Sequence, residues 1–127
     1  MSPLKITIRD ARTGPVLEIL GELDYNTAHE LRDLLATITL RSGQRLVIDL
    51  AGLEFCDSSG FTALIFARNH VHATQADIAL AAVPEHILRL LNVTGLGQIF
   101  PLYPDSEVAD RPTLTRVDGK DSGSSRV

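Results

Sequence analysis

The sequence predicts one α/β domain in which helices cover a mixed β-sheet, and three observations support it. Residues 4–10 alternate apolar and polar side chains, which is the period of a half-buried strand. Residues 45–50 and 76–83 are nearly continuous apolar runs, typical of strands buried on both faces. The stretches between strands place apolar residues three and four apart, as amphipathic helices do. The predicted order is β-β-α-β-α-β-α-β, with mostly parallel strands at the centre of the sheet.

The first part of the chain predicts a hairpin followed by a helix. Residues 4–10 and 15–23 form the two strands, and ARTG between them supplies the turn. The helix begins at Asn26 or Thr27, either of which can cap it. Glu30 follows Thr27 by three positions, as a capping box requires. The apolar side of the helix consists of Ala28, Leu31, Leu34, Leu35 and Ile38.

The second part continues the alternation of strands and helices. Pro84 suits the first turn of a helix, and Gly95 suits the position after a helix end. Pro101 indicates an edge strand, because proline has no N–H to donate to a neighbouring strand. The predicted elements are a strand at 45–50, a helix at 59–72, a strand at 76–83, a helix starting at Pro84 and a strand at 98–103.

The end of the chain differs in composition from the rest. Residues 105–127 are rich in small polar side chains and show no apolar periodicity. Such a segment cannot bury enough apolar surface to offset the entropy lost on ordering. The sequence therefore predicts a folded domain over residues 1–104 and a flexible tail over residues 105–127.

Composition and charge argue against several classes of function. The chain of 127 residues has a net charge of -4 and a pI near 5.5, whereas nucleic-acid-binding domains show a basic stripe. Its single cysteine, Cys56, excludes an internal disulfide framework and a cysteine-rich zinc site. Neither a signal peptide nor an apolar run of about 20 residues occurs. We therefore expect a cytoplasmic protein without a membrane span.

A polar corner, Asp-Ser-Ser-Gly at residues 57–60, separates a buried strand from an apolar helix. Asp57 or Ser58 can cap the helix, and Gly60 eases its sharp start, but a cap needs only one or two such residues. The remaining hydroxyl could contact a partner protein. A phosphate on it would face the positive end of the helix dipole, so the domain itself would tolerate the modification. These residues alone are compatible both with a structural helix cap and with a regulated serine.

Three segments together resemble the STAS domains of bacterial anti-sigma factor antagonists. VIDLAGLEFCDSSGFTAL resembles the family signature, in which a strand runs into D-S-[ST]-G at a helix start. GELDYNTAHELRDLL is similar to the family's approach to its first helix, and LLNVTGLGQIF is similar to its closing segment. The resemblance covers residues 4–103 in the family's order and spacing, and it implies a STAS-type single domain.

The resemblance also implies a mechanism. Family members bind, when unphosphorylated, an anti-sigma factor serine kinase and thereby release a sigma factor. The kinase, which binds the ATP, phosphorylates the second serine of the motif, here Ser59; this breaks the complex, and a serine phosphatase restores it. The chain would be a kinase substrate without catalysis or a cofactor of its own. The implied partner-binding residues are Glu22, Asp24, Asp57, Ser58, Ser59 and Gly60. Cys56 replaces a common aliphatic residue or methionine, as core variation would.

Two other classes of function are open alternatives. An enzyme is disfavoured, because Ser59 is not in a G-x-S-x-G elbow and no histidine is supported as its base. The two histidines of HVH at 70–72 are two positions apart, so on a helix they face different sides and suit no shared metal. A STAS binding module of a transporter or a stress-sensing assembly would share the fold without being phosphorylated. An intact Asp-Ser-Ser-Gly favours the sigma-factor circuit.

Overall fold

A computed structural model describes residues 3–111 of the chain as one mixed sheet covered by helices. The strands are β1 (Leu4–Asp10), β2 (Pro15–Leu23), β3 (Arg45–Asp49), β4 (Leu53–Cys56), β5 (Asp77–Ala81) and β6 (Leu102–Tyr103). The helices are α1 (Ala28–Ala36), α2 (Ser58–His72), α3 (Glu85–Thr94) and α4 (Ser106–Ala109), and a 3-10 turn spans Leu96–Gln98.

The sheet has the predicted mixed arrangement, with parallel strands at its centre. β1 and β2 form an antiparallel hairpin in which Ile6 lies opposite Ile19. β2, β3, β5 and β6 follow in that order and are all parallel to one another. The hairpin is therefore confirmed, as is the edge position of the last strand. β3 has neighbours on both sides, which accounts for its apolar run.

The two faces of the sheet are covered to different extents. The face that carries α1, α2 and α3, here called the helical face, contains the main hydrophobic core. The opposite, outer face carries α4, whose Ala109 packs on a small cluster around Val16 and Val47. The core between sheet and helices includes Leu17, Ile19, Leu31, Leu35, Ile48, Leu64, Leu80, Ile87 and Leu91, all without exposed surface.

The strand β4 corrects the predicted element order. It extends the sheet beside the end of β2, with Leu23 of β2 opposite Cys56 of β4. Only Leu53 and Cys56 at its two ends are buried, so its sequence lacks the alternation that marks a half-buried strand. A register shift between Gly21 and Glu22 of β2 further disturbs the pattern. Pairing with β2, rather than local sequence, makes this segment a strand.

The helix α4 corrects the start of the predicted tail. The sequence predicted a flexible tail over residues 105–127, but the first part of this segment binds the sheet. Ala109 is fully buried, and Asp110 accepts hydrogen bonds from the backbone and hydroxyl of Thr13 at 2.8 and 2.6 Å. These contacts supply the stabilisation that the local sequence lacks. The remainder, residues 112–127, lies outside the residues that the structure describes.

Candidate functional site

The candidate site lies at the end of the sheet where two neighbouring strands finish and two helices begin. β2 ends at Leu23 and β4 ends at Cys56, and these two residues are paired. The chain then continues from Leu23 towards α1 and from Cys56 directly into α2. The pairing therefore brings the Gly-Glu-Leu-Asp segment and the Asp-Ser-Ser-Gly corner to one place. These are the two segments that contain all the predicted site residues.

Asp57 is the central residue of this corner. Its backbone is extended, and its Oδ1 accepts a hydrogen bond from the amide of Gly60 at 3.0 Å, which caps α2. Its Oδ2 accepts a second bond from the amide of Tyr25 at 3.1 Å. The amide of Asp57 itself donates to the carbonyl of Leu23 at 3.3 Å. One carboxylate thus caps the second helix and holds the approach to the first, and of the two predicted capping residues Asp57 is the cap.

Gly60 is required by the close approach of α2 to the strands. A Cβ atom at this position would lie 2.3 Å from the carbonyl oxygen of Leu23 and 2.6 Å from Sγ of Cys56. Cys56 is buried under the helix start, and burial, with a smaller contribution from Asp57, raises its pKa to about 12. The thiol stays protonated at neutral pH, so it packs as a small apolar group, as predicted, and is poorly suited to redox chemistry.

The two serines differ in exposure and in contacts. Ser58 is exposed, and its carbonyl accepts a hydrogen bond from the hydroxyl of Thr62 at 2.9 Å. Ser59 is partly exposed, and its hydroxyl has no hydrogen-bond partner within residues 3–111. It stands in the first turn of α2, where backbone N–H groups lack intrahelical acceptors. Ser59 therefore combines an uncommitted hydroxyl with a local environment that favours negative charge.

The start of α1 is built differently from the prediction. The predicted capping box of Thr27 is wrong, because the Thr27 side chain makes no bond to an amide of the helix. Thr27 is buried; its hydroxyl donates to the carbonyl of Glu22 at 2.8 Å and accepts from the amide of Asp24 at 2.9 Å. Asp24 Oδ1 instead accepts from the amides of Asn26 and Thr27. The hydroxyl is used to hold the end of β2 rather than to cap the helix.

Two aromatic residues next to the corner escaped the sequence-based prediction. Tyr25 is 81% exposed and Phe55 is 50% exposed, although large aromatic side chains usually lie inside a domain of this size. Phe55 lies opposite Glu22 in the register of β4 and β2. Both lie within the segments that resemble the STAS family, but their exposure depends on the tertiary structure. The one sequence feature that the two residues share is an acidic residue directly before each, and this feature does not by itself predict exposure.

The remaining predicted features of the chain contribute nothing to this corner. His70 places Nε2 3.1 Å from the carbonyl oxygen of Ile38, which lies beyond the C-terminal end of α1, whereas the site lies at the start of that helix. Across residues 3–111, no group of histidine, cysteine, aspartate or glutamate is arranged to hold a metal ion. Nor does that part of the chain contain a helix long and apolar enough to cross a membrane.

Comparison with known proteins identifies the family. A family model described as "Mlab, STAS domain" matches residues 6–103. An anti-sigma F factor antagonist of Paenibacillus polymyxa is 30% identical over 83% of this chain and 90% of its own length. The crystal structure of an anti-sigma factor antagonist from Mycobacterium paratuberculosis superposes with a TM-score of 0.73 at 28% identity, covering 84% of this chain and 90% of that one.

The fold is also found in proteins of a different description. A sulfate transporter family protein from Wolinella succinogenes superposes with a TM-score of 0.66 at 17% identity, covering 75% of this chain and 80% of that one. At this identity the likeness concerns the fold alone. The sequence match and the family model together show that the chain belongs to the STAS-domain family of anti-sigma factor antagonists.

Proposed function

We propose that the chain is an anti-sigma factor antagonist whose partner is an anti-sigma factor serine kinase and whose binding is switched off by phosphorylation of Ser59. The single observation that carries the proposal is the hydroxyl of Ser59. It lies partly exposed in the first turn of α2 and has no hydrogen-bond partner within residues 3–111. The domain does not use this hydroxyl for its own stability, so the hydroxyl is available to another protein.

The charges at the corner explain how a phosphate would act as a switch. A phosphate adds about -1.5 to -2 charges near neutral pH. It would lie in the first turn of α2, where the helix dipole and free amides stabilise it, so the domain stays folded. A partner that binds the neutral hydroxyl would instead face a new charge beside Asp57, and desolvating that charge would weaken binding. The switch therefore changes the surface without changing the fold.

A constitutive binding module of a transporter or a stress-sensing assembly is the second candidate. A sulfate transporter family protein has the same fold, so the fold is compatible with this role as well. In that case the corner would be a helix cap, and Ser59 would carry no phosphate. The two candidates differ in what a negative charge at Ser59 does to partner binding, which gives a direct test.

The test measures affinity for the anti-sigma factor kinase of the source organism by titration calorimetry in the presence of ADP. Wild type and Ser59→Ala are expected to bind alike. Ser59→Asp is expected to bind at least about tenfold more weakly, a loss of about 1.4 kcal/mol, because it places a charge in the contact. Ser58→Asp is the matched control, because it adds the same charge at the adjacent, more exposed residue. We expect a smaller loss there. Equal affinity for wild type and Ser59→Asp would contradict the switch.

A second measurement locates the phosphate. With kinase and ATP, mass spectrometry should find one phosphate on Ser59 in wild type and in Ser58→Ala, and none on the corner in Ser59→Ala. Phosphate on Ser58 or within residues 112–127 would overturn the site assignment. Thermal unfolding of Ser59→Asp should match wild type closely, because the added charge lies at a helix start.

A further inference from the structure

The outer face of the sheet has one half that no part of residues 3–111 covers. α4 packs over Val16 and Val47, near the start of the parallel strands. Leu20, further along β2, alternates with the buried Ile19 and therefore points to this same face, where it is 41% exposed. Phe55 of β4 lies opposite Glu22, which is two positions from Leu20 in β2, so Phe55 lies on the same face, where it is 50% exposed. Leu20 and Phe55 are here called the outer-face patch.

The patch is connected to the Ser59 corner by direct backbone contacts. Phe55 lies opposite Glu22 in the strand register and precedes the cap residue Asp57 by two positions. The side chain of Leu20 lies over Gly52, where a Cβ atom would come within 2.8 Å of its Cγ. A cavity of about 210 Å³ next to Leu20 is lined by Glu18, Ile19, Leu20, Asp49, Ala51 and Gly52. The patch thus has a depression that an apolar side chain could fill.

The charged side chains around the patch are mostly acidic, although the exposed Lys5 of β1 lies opposite Leu20 in the hairpin register. Glu22 and Glu54 are exposed beside Phe55, and Asp49 lines the cavity. Glu18 also lines the cavity, but it accepts a hydrogen bond from Thr7 and forms an ion pair with Arg9, which offsets its charge. A second copy of the chain would bring Glu22, Glu54 and Asp49 against the same three carboxylates, with Lys5 as the one basic group described beside Leu20, and like charges in apposition oppose association. The charge pattern therefore favours a partner with basic side chains around an apolar centre.

We propose that the anti-sigma factor kinase binds the outer-face patch and the Ser59 corner together, through an apolar surface flanked by lysine or arginine. This inference rests on the proposed function for the identity of the partner. The corner alone is small and polar, whereas stable interfaces bury roughly 800 Å² per partner around an apolar core. Leu20 and Phe55, with the exposed Tyr25 at the sheet end, are the apolar residues adjoining the corner that can supply such a core.

The two regions have different tasks in this arrangement. The patch supplies affinity, because buried aromatic and aliphatic anchors contribute most of the binding energy of an interface. The corner supplies control, because a phosphate on Ser59 adds charge at one edge of the contact and leaves the patch unchanged. Substitutions in the patch should therefore weaken binding without preventing phosphorylation at saturating kinase concentration.

The experiment compares Leu20→Ser with Leu90→Ser and Phe55→Ser with Phe66→Ser, in the full chain and against the same kinase. The pairs are matched in exposure, since Leu90 is 43% and Phe66 39% exposed on helices of the other face. Titration calorimetry should show at least about a thirtyfold loss of affinity for each patch variant, the size of a hot-spot residue, and a change below about threefold for each control. Affinity of wild type should fall as salt rises, since the flanking contacts are ionic.

The possible outcomes separate this inference from the proposed function. If wild type binds the kinase, Ser59→Asp does not, and all four apolar variants bind like wild type, the switch stands and the patch proposal is overturned. If the helical-face controls lose as much affinity as the patch variants, the proposal is also overturned. Absence of binding by wild type overturns both. Sedimentation that shows a wild-type dimer and a monomeric Leu20→Ser variant would assign the patch to a second copy instead and contradict the proposal.

Discussion

The starts of α1 and α2 lie side by side at one end of the sheet, yet their aspartates serve different purposes. Asp24 accepts hydrogen bonds from the amides of Asn26 and Thr27, within its own turn. Asp57 accepts one bond from the amide of Gly60 and another from Tyr25, which belongs to the other segment. The first aspartate shapes a local turn, whereas the second couples two elements. The proposed regulated serine, Ser59, lies at the start of α2, where Asp57 contacts both segments.

The difference also shows why a phosphate could act here without disturbing the fold. The bonds of Asp57 use its own carboxylate and the amides of Gly60 and Tyr25, so the Ser59 hydroxyl is no part of them. A modification of Ser59 would therefore leave the coupling between the two segments in place. The same hydroxyl at the start of α1 would not be free, because the Thr27 hydroxyl holds Glu22 and Asp24.

The largest expected loss of stability comes from a substitution that disrupts the close approach of α2 to the strands. Gly60→Ala places a Cβ 2.3 Å from the carbonyl of Leu23 and 2.6 Å from Cys56, and the backbone atom cannot move aside cheaply. Overpacking of this kind costs about 2–3 kcal/mol, which should appear in urea unfolding. Gly97→Ala is the control, since its nearest atom is a side-chain oxygen of Asn92 at 3.0 Å. A change within about 0.5 kcal/mol is expected there, and an equally small loss at Gly60 would refute the contact.

A smaller effect separates the two aspartates. Asp57→Ala removes a helix cap together with a bond between segments and should cost about 2 kcal/mol, whereas Asp24→Ala should cost about 1 kcal/mol. Hydrogen exchange gives the sharper readout. The amide of Tyr25 should exchange faster in Asp57→Ala and that of Asn26 faster in Asp24→Ala. Faster exchange of both amides in both variants would mean that the turn opens as one unit and that the two roles are not distinct.

The smallest effect concerns Asp110, a third aspartate that accepts backbone amides but lies far from the corner. Burial raises its pKa, but bonds from the Thr13 hydroxyl, the amides of Thr13 and Arg12, and the charge of Arg12 lower it below the ordinary 3.8. A carboxylate with a lowered folded-state pKa stabilises the protein above 3.8, and this contribution disappears as the pH falls through the lowered value. Wild type should therefore lose more stability than Asp110→Asn between pH 6 and pH 3.

Unfolding by urea at the two pH values measures this difference, which should be small because the carboxylate is largely solvated. Asp110→Asn should also bind the kinase like wild type, since α4 covers the other half of the outer face. An unchanged pH dependence in the variant would mean that the ionisation of Asp110 adds nothing to stability. Weakened kinase binding would mean that the interface extends over α4.

Local patterns in the sequence determined much of the fold. Alternation at residues 4–10 identified β1, the apolar run at 45–50 identified the central β3, and Gly95 marked the end of α3, where its φ is +81°. The capping role of Asp57 could also be assigned, because an aspartate before a helix accepts an amide of its own first turn, whereas the need for Gly60 arises from Leu23 of β2, which is distant in sequence. The family resemblance then singled out Ser59, which local rules alone left between a cap and a regulated residue.

Only the tertiary structure decided the rest. β4 forms because β2 offers free backbone groups to its short segment, and α4 forms because the outer face offers Val16 and Val47 to Ala109. Thr27 matches a capping pattern, but the end of β2 claims its hydroxyl. The outer-face patch is likewise invisible in sequence, since exposure depends on which half of a face is covered. Periodicity indicates the secondary structure that one segment favours by itself. These features instead depend on contacts with residues distant in sequence, which local patterns do not contain.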